Sequence, residues 1–366
     1  MNILILADLV TFSGVGNYIR FLSTSFLAKG DNVIIATAQD DLHIEGVKTY
    51  LLKPININPF NIFCNLIRIR GIIRKYSIDV VHANHRMSSF LMGVYNLFYS
   101  HIPIVWTSHS GAFPMNSVKK VMGYYGDQCI AVSSESKEFI LNSLNVPERR
   151  VNLIYNGVDE KELTILSEDD VDNIKRLWRI PSEKIVIAIH GRIAHAKGID
   201  FLIDTLSKLD EEKQKRIVVV CSGEYRNNEY YEELKNRLFV YRLQDLFIFM
   251  GWCKSRDLLG IADIMLQPSR REGFPLAAVE AFFMEVPVIR TQTGGYSDMK
   301  DICIGVSFGD KKEFLSKIED FIDNPLIFSN MVKKAKAKAL EQFTLDTMVN
   351  KTYAVYLSAI ESVKNK

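Results

Sequence analysis

Short apolar segments alternate with helical patterns along the whole chain. Val and Ile dominate these segments, and several are apolar on both faces, which is typical of parallel strands covered by helices on both sides of a sheet. The predicted strands lie at residues 3–7, 32–36, 80–82, 104–107, 129–132 and 151–154 in the first half, and at residues 185–189, 217–221, 246–249, 264–266 and 286–289 in the second half. The pattern predicts an α/β protein with two doubly wound parallel sheets.

The chain of 366 residues is long enough for two domains, each with its own core. A turn sequence, N-G-V-D at residues 156–159, stands between the two runs of strands. We therefore expect an N-terminal domain over residues 1–160 and a second domain over residues 161–345. A last helical pattern over residues 346–366 predicts a C-terminal helix.

The composition is that of an ordinary globular protein, with 48% hydrophobic residues, 24% charged residues and a net charge of +2. This balance does not call for nucleic acid as a partner. The five cysteines are scattered and form no C-x-x-C pair, which fits a reducing cytoplasm better than a disulfide framework. The first residues lack the basic segment of a signal peptide, and no apolar run reaches the roughly 20 residues of a membrane span. We expect a cytoplasmic protein.

Two glutamates bracket a predicted strand–loop–helix junction after residues 264–266. Glu272 falls in the loop and Glu280 on the helix, so that both carboxylates can face one crevice. The backbone amides between them belong to a helix N-terminus, where unpaired donors and the helix dipole favour an anion. These amides are those of Gly273, Phe274, Leu276 and Ala277, whereas Pro275 has none to offer. Carboxylates that accept hydroxyl hydrogen bonds beside an anion site suit a phosphorylated sugar.

Two cations follow the predicted strand at residues 185–189. Arg192 comes directly after Gly191, and Lys197 follows five residues later. Arginine offers a forked pair of donors to phosphate oxygens, and lysine offers a mobile point charge. At the carboxyl end of a strand both side chains would point into a ligand crevice.

Two loops of the first half also end strands. Gly14 and Gly16 open a helical pattern after the first strand, where glycine lets a ligand approach the backbone closely. His109 follows the strand at residues 104–107 and could donate a hydrogen bond to a sugar hydroxyl or to a leaving group. The neighbouring His82 and His85 are more plausibly structural or on the acceptor side, and the absence of a nearby carboxylate or cysteine makes zinc an unattractive interpretation.

Each candidate also has a simpler explanation. Glu272 could merely complement the helix dipole, Glu280 could be a solvated helix residue, and the two cations could lie in solvent. The glycine loop could be a plain turn or part of a nicotinamide-binding fingerprint with Asp40 on the ribose. The third glycine of that fingerprint is missing, however, because Ile19 holds its position.

Taken together, these motifs resemble the retaining nucleotide-sugar glycosyltransferases of family 4. The run P-S-x-x-E-G-F-P-L-x-x-x-E contains the family's E-x7-E spacing, and G-R-x-x-x-x-K-G resembles its diphosphate clamp. T-x-H at His109 and N-G-V-D at residues 156–159 match the family as well, and the matches cover residues 3 to roughly 345. The resemblance implies a GT-B fold, in which two Rossmann-like domains face an interdomain cleft and the C-terminal helix packs back on the first domain.

The resemblance also implies the reaction. A sugar would move from a nucleoside diphosphate sugar to a hydroxyl of a saccharide or lipid-linked acceptor, with retention of anomeric configuration, in a pathway such as surface polysaccharide biosynthesis. No cofactor or metal is implied, because fixed cations and a helix N-terminus can neutralise the diphosphate instead. Two alternatives stay open at this stage, a non-catalytic GT-B subunit that binds nucleotide sugars and a nucleotide-sugar epimerase.

The roles that the resemblance implies fall into two groups. His109 and Glu272 would be the catalytic residues. Donor binding would fall to Gly14, Gly16, Arg192, Lys197, Gly251, Trp252, Gly273, Phe274, Pro275, Leu276, Ala277 and Glu280. Within that set Glu280 would contact the ribose, and Trp252 could stack on the base, although a core position is as plausible for a tryptophan.

Residues 62–76 interleave apolar positions with Arg68, Arg70, Arg74 and Lys75. A basic amphipathic helix of this kind can lie on an anionic membrane, which would make the protein a peripheral one on the inner face of the cell membrane. An ordinary sheet-packing helix with a solvated basic edge is the favoured interpretation. Residues 115–120 could extend the same face.

Overall fold

The computed structural model describes residues 1–110, 123–225 and 228–364, so the possible extension at residues 115–120 lies outside the described part. The chain forms two compact units. The first unit contains Met1–Gly157 and the segment that begins at Leu345, and the second contains Val158–Thr344.

The first unit is built on a seven-stranded, wholly parallel sheet. Its strand order is β3-β2-β1-β4-β5-β6-β7. The strands are β1 (Asn2–Val10), β2 (Asn32–Asp40), β3 (Lys48–Leu51), β4 (Val80–Ala83), β5 (Ile104–Ser108), β6 (Gln128–Ala131) and β7 (Val151–Leu153). In the register at the centre of the sheet, Ile3 of β1 lies opposite Val33 of β2 and Val80 of β4.

Helices cover both faces of this sheet. They are α1 (Gly14–Ala28), α2 (Pro59–Tyr76), α3 (Arg86–Phe98) and α4 (Ser134–Asn142). Alternate residues of β1 enter two different cores, because Ile3 and Ile5 pack with Phe26 of α1, whereas Leu4 packs with Leu66 of α2. Both faces of the strand are therefore apolar, which explains its unbroken run of hydrophobic residues.

The second unit repeats this design with a six-stranded parallel sheet. Its strand order is β10-β9-β8-β11-β12-β13. The strands are β8 (Ile185–His190), β9 (Ile217–Ser222), β10 (Phe247–Gly251), β11 (Ile264–Gln267), β12 (Val288–Thr291) and β13 (Ile304–Val306). The helices of this unit are α5 (Glu168–Leu177), α6 (Ile199–Leu206), α7 (Glu211–Arg216), α8 (Asn228–Tyr241), α9 (Ser255–Gly260), α10 (Leu276–Phe283), α11 (Tyr296–Met299), α12 (Lys311–Asp323) and α13 (Ser329–Gln342).

The last helix, α14 (Leu345–Lys364), belongs to the first unit. Met348 and Val355 are buried in the same core as α1. The Tyr356 hydroxyl lies 2.5 Å from Nδ1 of His82 on β4. The chain thus leaves its first domain, builds the second, and returns to complete the first.

All eleven predicted strands are present, with ends that differ by up to four residues, and the doubly wound architecture is confirmed. Two strands, β3 and β13, were not predicted. Both lie at sheet edges, where one side of the strand is unpaired. β3 is half-exposed and mixes polar with apolar residues, so it produces no apolar run. β13 does lie in a short apolar run at residues 302–306, which the prediction passed over.

Helix α2 packs on the sheet through Leu66, Ile69 and Ile72, as the favoured interpretation predicted. Among the helices that the structure describes, none combines the length and the apolar character needed to cross a bilayer.

Candidate active site

The topology of each sheet marks one place where a ligand can bind. In the second unit the chain order reverses between β8 and β11, and in the first unit it reverses between β1 and β4. Helices that follow the two central strands leave the sheet on opposite faces, so a crevice opens at the strands' carboxyl ends. The predicted cations follow β8, and Glu272 follows β11.

Three donors fix the carboxylate of Glu272. Lys197 Nζ lies 2.7 Å from Oε1, Ser269 Oγ lies 2.6 Å from it, and Gln267 Nε2 lies 3.4 Å from it. No donor from the described part of the chain forms a hydrogen bond with Oε2. The side chain is only 9% exposed. One oxygen therefore holds the carboxylate in place, and the other is left to accept a hydrogen bond from a ligand.

Lys197 reaches Glu272 because two loops touch. Lys197 ends a short 3₁₀ turn, His195–Lys197, and Gly198 follows with a φ of +68°. A Cβ at Gly198 would lie 2.0 Å from the carbonyl oxygen of Pro268, so only glycine allows this approach. The lysine predicted to bind a diphosphate is consequently also the ion-pair partner of the carboxylate predicted to bind the sugar.

A second ion pair joins the same two loops. Arg270 donates from Nη1 and Nη2 to the two carboxylate oxygens of Asp200, over 2.7 Å and 2.5 Å, and Nη1 also donates to the carbonyl of His195. Burial alone would raise the pKa of Asp200, but the hydrogen bonds from Arg270 and Tyr230 hold that pKa at about 2. The forked pair fixes the loop of Lys197 against the loop of Glu272. This pair was not predicted, because its partners are 70 residues apart.

Arg192 differs from Lys197 in its exposure to solvent. Its side chain is exposed, and in the described residues no ion pair or hydrogen bond engages the guanidinium. The preceding Gly191 has a φ of +136°, so the chain turns sharply at the end of β8 before presenting Arg192. A forked cation is thus left available at the predicted ligand crevice.

Glu280 is not the solvated helix residue of the simpler explanation. It lies on α10 with 16% of its side chain exposed, and Oε2 is 3.4 Å from Nε2 of His190. Ser255 Oγ lies 2.9 Å from the same ring nitrogen. Burial is the main cause that raises the pKa of Glu280, the hydrogen bond with Ser255 opposes the rise, and the nearby charge of Glu162 adds to it, which together bring the pKa to about 7.

His190 was overlooked in the sequence, although it directly precedes Gly191-Arg192. Burial and the charge of Lys197 lower the pKa of His190 to about 4. Near pH 7 His190 is therefore neutral, and Glu280 is close to the midpoint of its titration. The two side chains do not form a full ion pair, so they can donate hydrogen bonds to a polar ligand or accept them from it.

Replacing Glu280 with Gln should stabilise the protein at alkaline pH. The folded protein keeps a proton on Glu280 up to about pH 7, whereas the unfolded chain releases it near pH 4.5. The stability that the protonated carboxyl group contributes is complete below the unfolded pKa of 4.5, and it is lost as pH rises through the folded pKa of about 7. We expect Glu280→Gln to raise the free energy of unfolding by about 1–3 kcal/mol at about pH 8 and to change it little at about pH 5.

Urea unfolding at the two pH values measures this difference. Glu285→Gln is the matched control, because Glu285 is half-exposed and paired with Lys336 at 2.8 Å, so it carries no burial penalty. An equal effect of Glu280→Gln at both pH values would contradict the raised pKa.

The segment between the two glutamates leads into α10. The side chain of Phe274 is buried, and its ring meets that of Phe343 edge-on with the ring centroids 5.4 Å apart. Pro275 stands at the N-cap position, where no side chain caps the helix. In the described residues no acceptor faces the amides of Leu276 and Ala277. These two donors, with the helix dipole behind them, suit an anion.

Gly251 and Trp252 end β10. Gly251 adopts a φ of +69°, and its carbonyl accepts the amide of Gly223 over 2.7 Å, which joins the ends of β9 and β10. Trp252 is 64% exposed. A core position for this tryptophan is therefore wrong, and its ring is open to a ligand.

Both predicted glycines of the first unit lie where the first turn of α1 begins. Ser13 caps this helix by accepting the amide of Gly16 over 3.1 Å. A Cβ at Gly16 would lie 1.8 Å from the carbonyl oxygen of Thr11, whereas a Cβ at Gly14 would meet nothing within 4 Å. Gly16 is needed for packing, and Gly14 faces open space. Asp40, the residue of the dinucleotide alternative, caps a turn by accepting the amides of Leu42 and His43.

His109 lies after β5 with its Nε2 3.0 Å from Oδ1 of Asn84. Its ring packs edge-on against Tyr18, with the ring centroids 4.7 Å apart. Burial, with the neighbouring His85 and His82, holds the pKa of His109 well below its usual value. A neutral ring that donates from Nε2 to Asn84 offers Nδ1 as an acceptor, so this conformation favours accepting a hydroxyl hydrogen bond over the expected donation.

His82 has a structural role, one of the two roles expected from the sequence. Its Nε2 lies 2.7 Å from Oγ1 of Thr107, and its other nitrogen meets Tyr356 of α14. The described residues contain no group of three or more His, Cys, Asp or Glu side chains placed to hold a metal ion.

Each half of the chain matches the model of a known protein family. Residues 12–162 match the family model described as Glycosyltransferase Family 4, and residues 170–339 match the model described as Glycosyl transferases group 1. An uncharacterised glycosyltransferase of Methanocaldococcus jannaschii is 26% identical over 95% of both chains. The UDP-Gal:α-D-GlcNAc-diphosphoundecaprenol α-1,3-galactosyltransferase of Escherichia coli is 23% identical over 86% of this chain and 85% of its own.

Solved structures share the fold. The Anabaena protein HepE in complex with UDP and glucose superposes with a TM-score of 0.85 at 17% identity, covering 98% of this chain and 100% of its own. The two parallel sheets and these similarities define a GT-B fold and a glycosyltransferase of the GT-B type. Within that class the chain is a family-4-like protein.

Proposed function

We propose that this protein transfers a sugar from a nucleoside diphosphate sugar to a hydroxyl of a saccharide or lipid-linked acceptor, with retention of anomeric configuration. One observation carries the proposal, the carboxylate of Glu272 held by three donors on Oε1 with Oε2 left open. A fixed carboxylate oxygen, together with two helix amides and an arginine that have no partner among the described residues, matches the two halves of such a donor, a hydroxylated sugar and a diphosphate.

Each part of the donor has a partner in this proposal. Glu272 Oε2 accepts a sugar hydroxyl, and the diphosphate lies on Arg192, on Lys197 and on the amides of Leu276 and Ala277. Glu280 binds the ribose hydroxyls, with His190 and Ser255 holding its carboxyl group in place. The backbone beside Gly251 and the exposed ring of Trp252 contact the base.

The chemical step in this proposal needs no covalent enzyme intermediate. The bond between the anomeric carbon and the diphosphate oxygen breaks, and the developing negative charge is stabilised by Arg192, Lys197 and the amides. The acceptor hydroxyl attacks from the same face, and its proton passes to the departing phosphate oxygen. The protein contributes mainly position and charge, and His109 contributes a neutral acceptor for a sugar hydroxyl.

Surface polysaccharide biosynthesis is the proposed setting. The support comes from relatives such as the Escherichia coli galactosyltransferase, whose name specifies an acceptor linked to diphosphoundecaprenol. The Anabaena neighbour was solved with UDP and glucose, which makes UDP the first nucleotide to try.

The test has two stages. Thermal shift with UDP, GDP, ADP and dTDP identifies the nucleotide, and the matching nucleotide sugars are then offered with candidate acceptors. NMR of the product reads the anomeric configuration. A product with inverted configuration would refute retention, and nucleotide binding without any transfer or donor hydrolysis would favour a non-catalytic binding subunit.

Activity is expected to survive chelation by EDTA. In the proposed site the diphosphate is neutralised by Arg192, Lys197 and the N-terminus of α10, so a divalent ion has no necessary part. Initial rates measured with EDTA and with added Mg²⁺ or Mn²⁺ should agree. A loss of turnover that magnesium or manganese restores would contradict this expectation.

A further inference from the structure

The first unit holds a carboxyl–imidazole pair that has not yet been given a function. β1 pairs with β4 as far as Leu6, opposite Ala83, and then continues past the end of β4. Asp8 lies in this extension, and His85 directly precedes α3. The backbone amide of Asp8 donates to Nδ1 of His85 over 3.3 Å. The two residues therefore lie together at the place where the chain order of this sheet reverses.

The carboxylate of Asp8 is held by one of its two oxygens. Ser88 Oγ donates to Oδ1 over 2.9 Å, whereas no described residue donates to Oδ2 or forms an ion pair with the carboxylate. Burial raises the pKa of Asp8, and the charge of His85 and the hydrogen bond from Ser88 oppose the rise only in part. Burying a carboxylate without a cation is costly, and a ligand that donates to Oδ2 would reduce this cost.

His85 presents the complementary group, a hydrogen-bond donor. Because Nδ1 accepts the amide of Asp8, the neutral ring carries its proton on Nε2. Burial lowers the pKa of His85, and the charge of Asp8 opposes this only in part, so the ring is neutral near pH 7. Among the described residues nothing accepts from Nε2. His85 also helps to lower the pKa of His109, so the pair lies near the histidine that was assigned to a sugar hydroxyl.

We propose that Asp8 and His85 bind two neighbouring hydroxyls of the acceptor sugar. One hydroxyl donates to Oδ2 of Asp8, and the next accepts from Nε2 of His85. A phosphate or carboxylate ligand would be repelled by Asp8, and an ammonium group would place its donors against the N–H of His85. The inference rests on the proposed transfer to a saccharide hydroxyl, and it adds the chemistry of the acceptor, a sugar with two adjacent free hydroxyls.

A simpler role for Asp8 is to complement the N-terminus of α3, since Ser88 lies in the first turn of that helix. That role needs a negative charge near the helix, but it needs neither an open carboxylate oxygen nor a donor on His85. The two explanations therefore differ in what substitutions of Asp8 and His85 do to sugar binding.

Calorimetry with a panel of sugars tests the proposal. The probes are the methyl glycosides of glucose, galactose, mannose and N-acetylglucosamine, and the same sugars on a polyprenyl diphosphate carrier, each added to protein saturated with a nucleoside diphosphate. Asp8→Asn should weaken the sugar that binds by about tenfold to a hundredfold. The amide group turns the open acceptor into a donor, while the remaining oxygen still accepts from Ser88.

Two substitutions of His85 separate the roles of its ring nitrogens. His85→Asn keeps an acceptor near Nδ1 for the amide of Asp8 but has no group at the Nε2 position, so sugar affinity should fall about threefold to tenfold. His85→Gln carries an amide donor near the Nε2 position and should retain most of the affinity.

Two control variants remove the same chemistry elsewhere in the first unit. Glu45→Gln removes an exposed carboxylate, and His43→Asn removes an exposed imidazole. Both should bind the sugars like the wild type. Nucleoside diphosphate affinity should be unchanged in all of these variants, because its proposed contacts lie in the second unit.

The form of the sugar that binds identifies its source. Binding of a methyl glycoside supports a free saccharide as the acceptor, and binding confined to the carrier-linked sugars supports a lipid-linked one. In either case Asp8→Asn must weaken the binding.

Three results would overturn the proposal. One is wild-type sugar affinity in Asp8→Asn, whatever its thermal midpoint, because Asp8 would then serve only the helix. Another is an equal loss of affinity in His85→Asn and His85→Gln. The third is a wild-type protein that binds the nucleotide but no sugar of the panel. Failure of the proposed function would look different, as an absence of nucleotide binding and donor hydrolysis in the wild type, with the effect of Asp8→Asn on the sugars unchanged.

Discussion

Glu272→Gln is expected to lower turnover on the order of a hundredfold or more, by comparison with the loss of one preorganised polar contact. Glutamine keeps the shape of the side chain and one acceptor oxygen for Lys197, Ser269 and Gln267. Its amide group would replace Oε2, however, so a donor would face the sugar hydroxyl where an acceptor stood. Nucleoside diphosphate affinity should stay nearly unchanged, because the substitution removes none of the proposed diphosphate contacts of Arg192, Lys197 and α10.

Turnover and nucleoside diphosphate affinity are measured for Glu272→Gln, for Glu280→Gln and for the control Glu285→Gln. Glu285 is also a glutamate paired with a lysine, but it lies beyond the end of α10. Glu280→Gln should weaken the nucleotide instead, because its carboxyl group is assigned to the ribose. If Glu272→Gln damages only nucleotide affinity, the assignment of sugar to Glu272 and ribose to Glu280 is wrong.

Arg192→Ala should weaken nucleoside diphosphate binding between about tenfold and a hundredfold, which corresponds to the roughly 1.5–3 kcal/mol of a charge-assisted hydrogen bond. Arg192 has no partner in the described residues, so its removal breaks no internal contact and stability should not change. Arg192→Lys keeps the charge but loses the forked pair of donors, so its nucleoside diphosphate affinity should lie between those of the wild type and Arg192→Ala.

Isothermal titration calorimetry gives the affinities. Arg149→Ala, which removes an exposed arginine of the first unit, is the control for loss of net charge. Equal affinities for Arg192→Ala and the wild type would remove Arg192 from the diphosphate site and leave the anion to Lys197 and the helix amides.

The pattern of apolar residues was sufficient for most of the fold. A parallel strand buried on both faces must be apolar at nearly every position, so β1, β8 and β11 were visible as short unbroken runs. The edge strand β3 was not visible, because its half-exposed side chains need not be apolar. The edge strands β7 and β10 were predicted, and β13 was missed although residues 302–306 are mostly apolar.

The candidate residues after β8 and β11 could also be chosen from the sequence. Glycines, a proline and charged side chains at the end of an apolar run are local features, and the loop at a strand's carboxyl end is where an α/β sheet binds ligands. The sequence therefore predicted Arg192, Lys197, Glu272 and Glu280 as chemical groups without showing which of them touch.

The contacts themselves depend on the strand order, because β8 and β11 become neighbours only when the sheet forms. That adjacency brings together residues 70 to 90 positions apart, as in the pairs Arg270–Asp200, Lys197–Glu272 and His190–Glu280. It also decides burial, which raises the pKa of Glu280 to about 7. The sequence by itself determined which residues are apolar, flexible or charged at each strand end. Only the tertiary structure decided which oxygen of Glu272 is held, which cation is free and which carboxyl group leaves water, because those properties depend on distances between segments that no local pattern encodes.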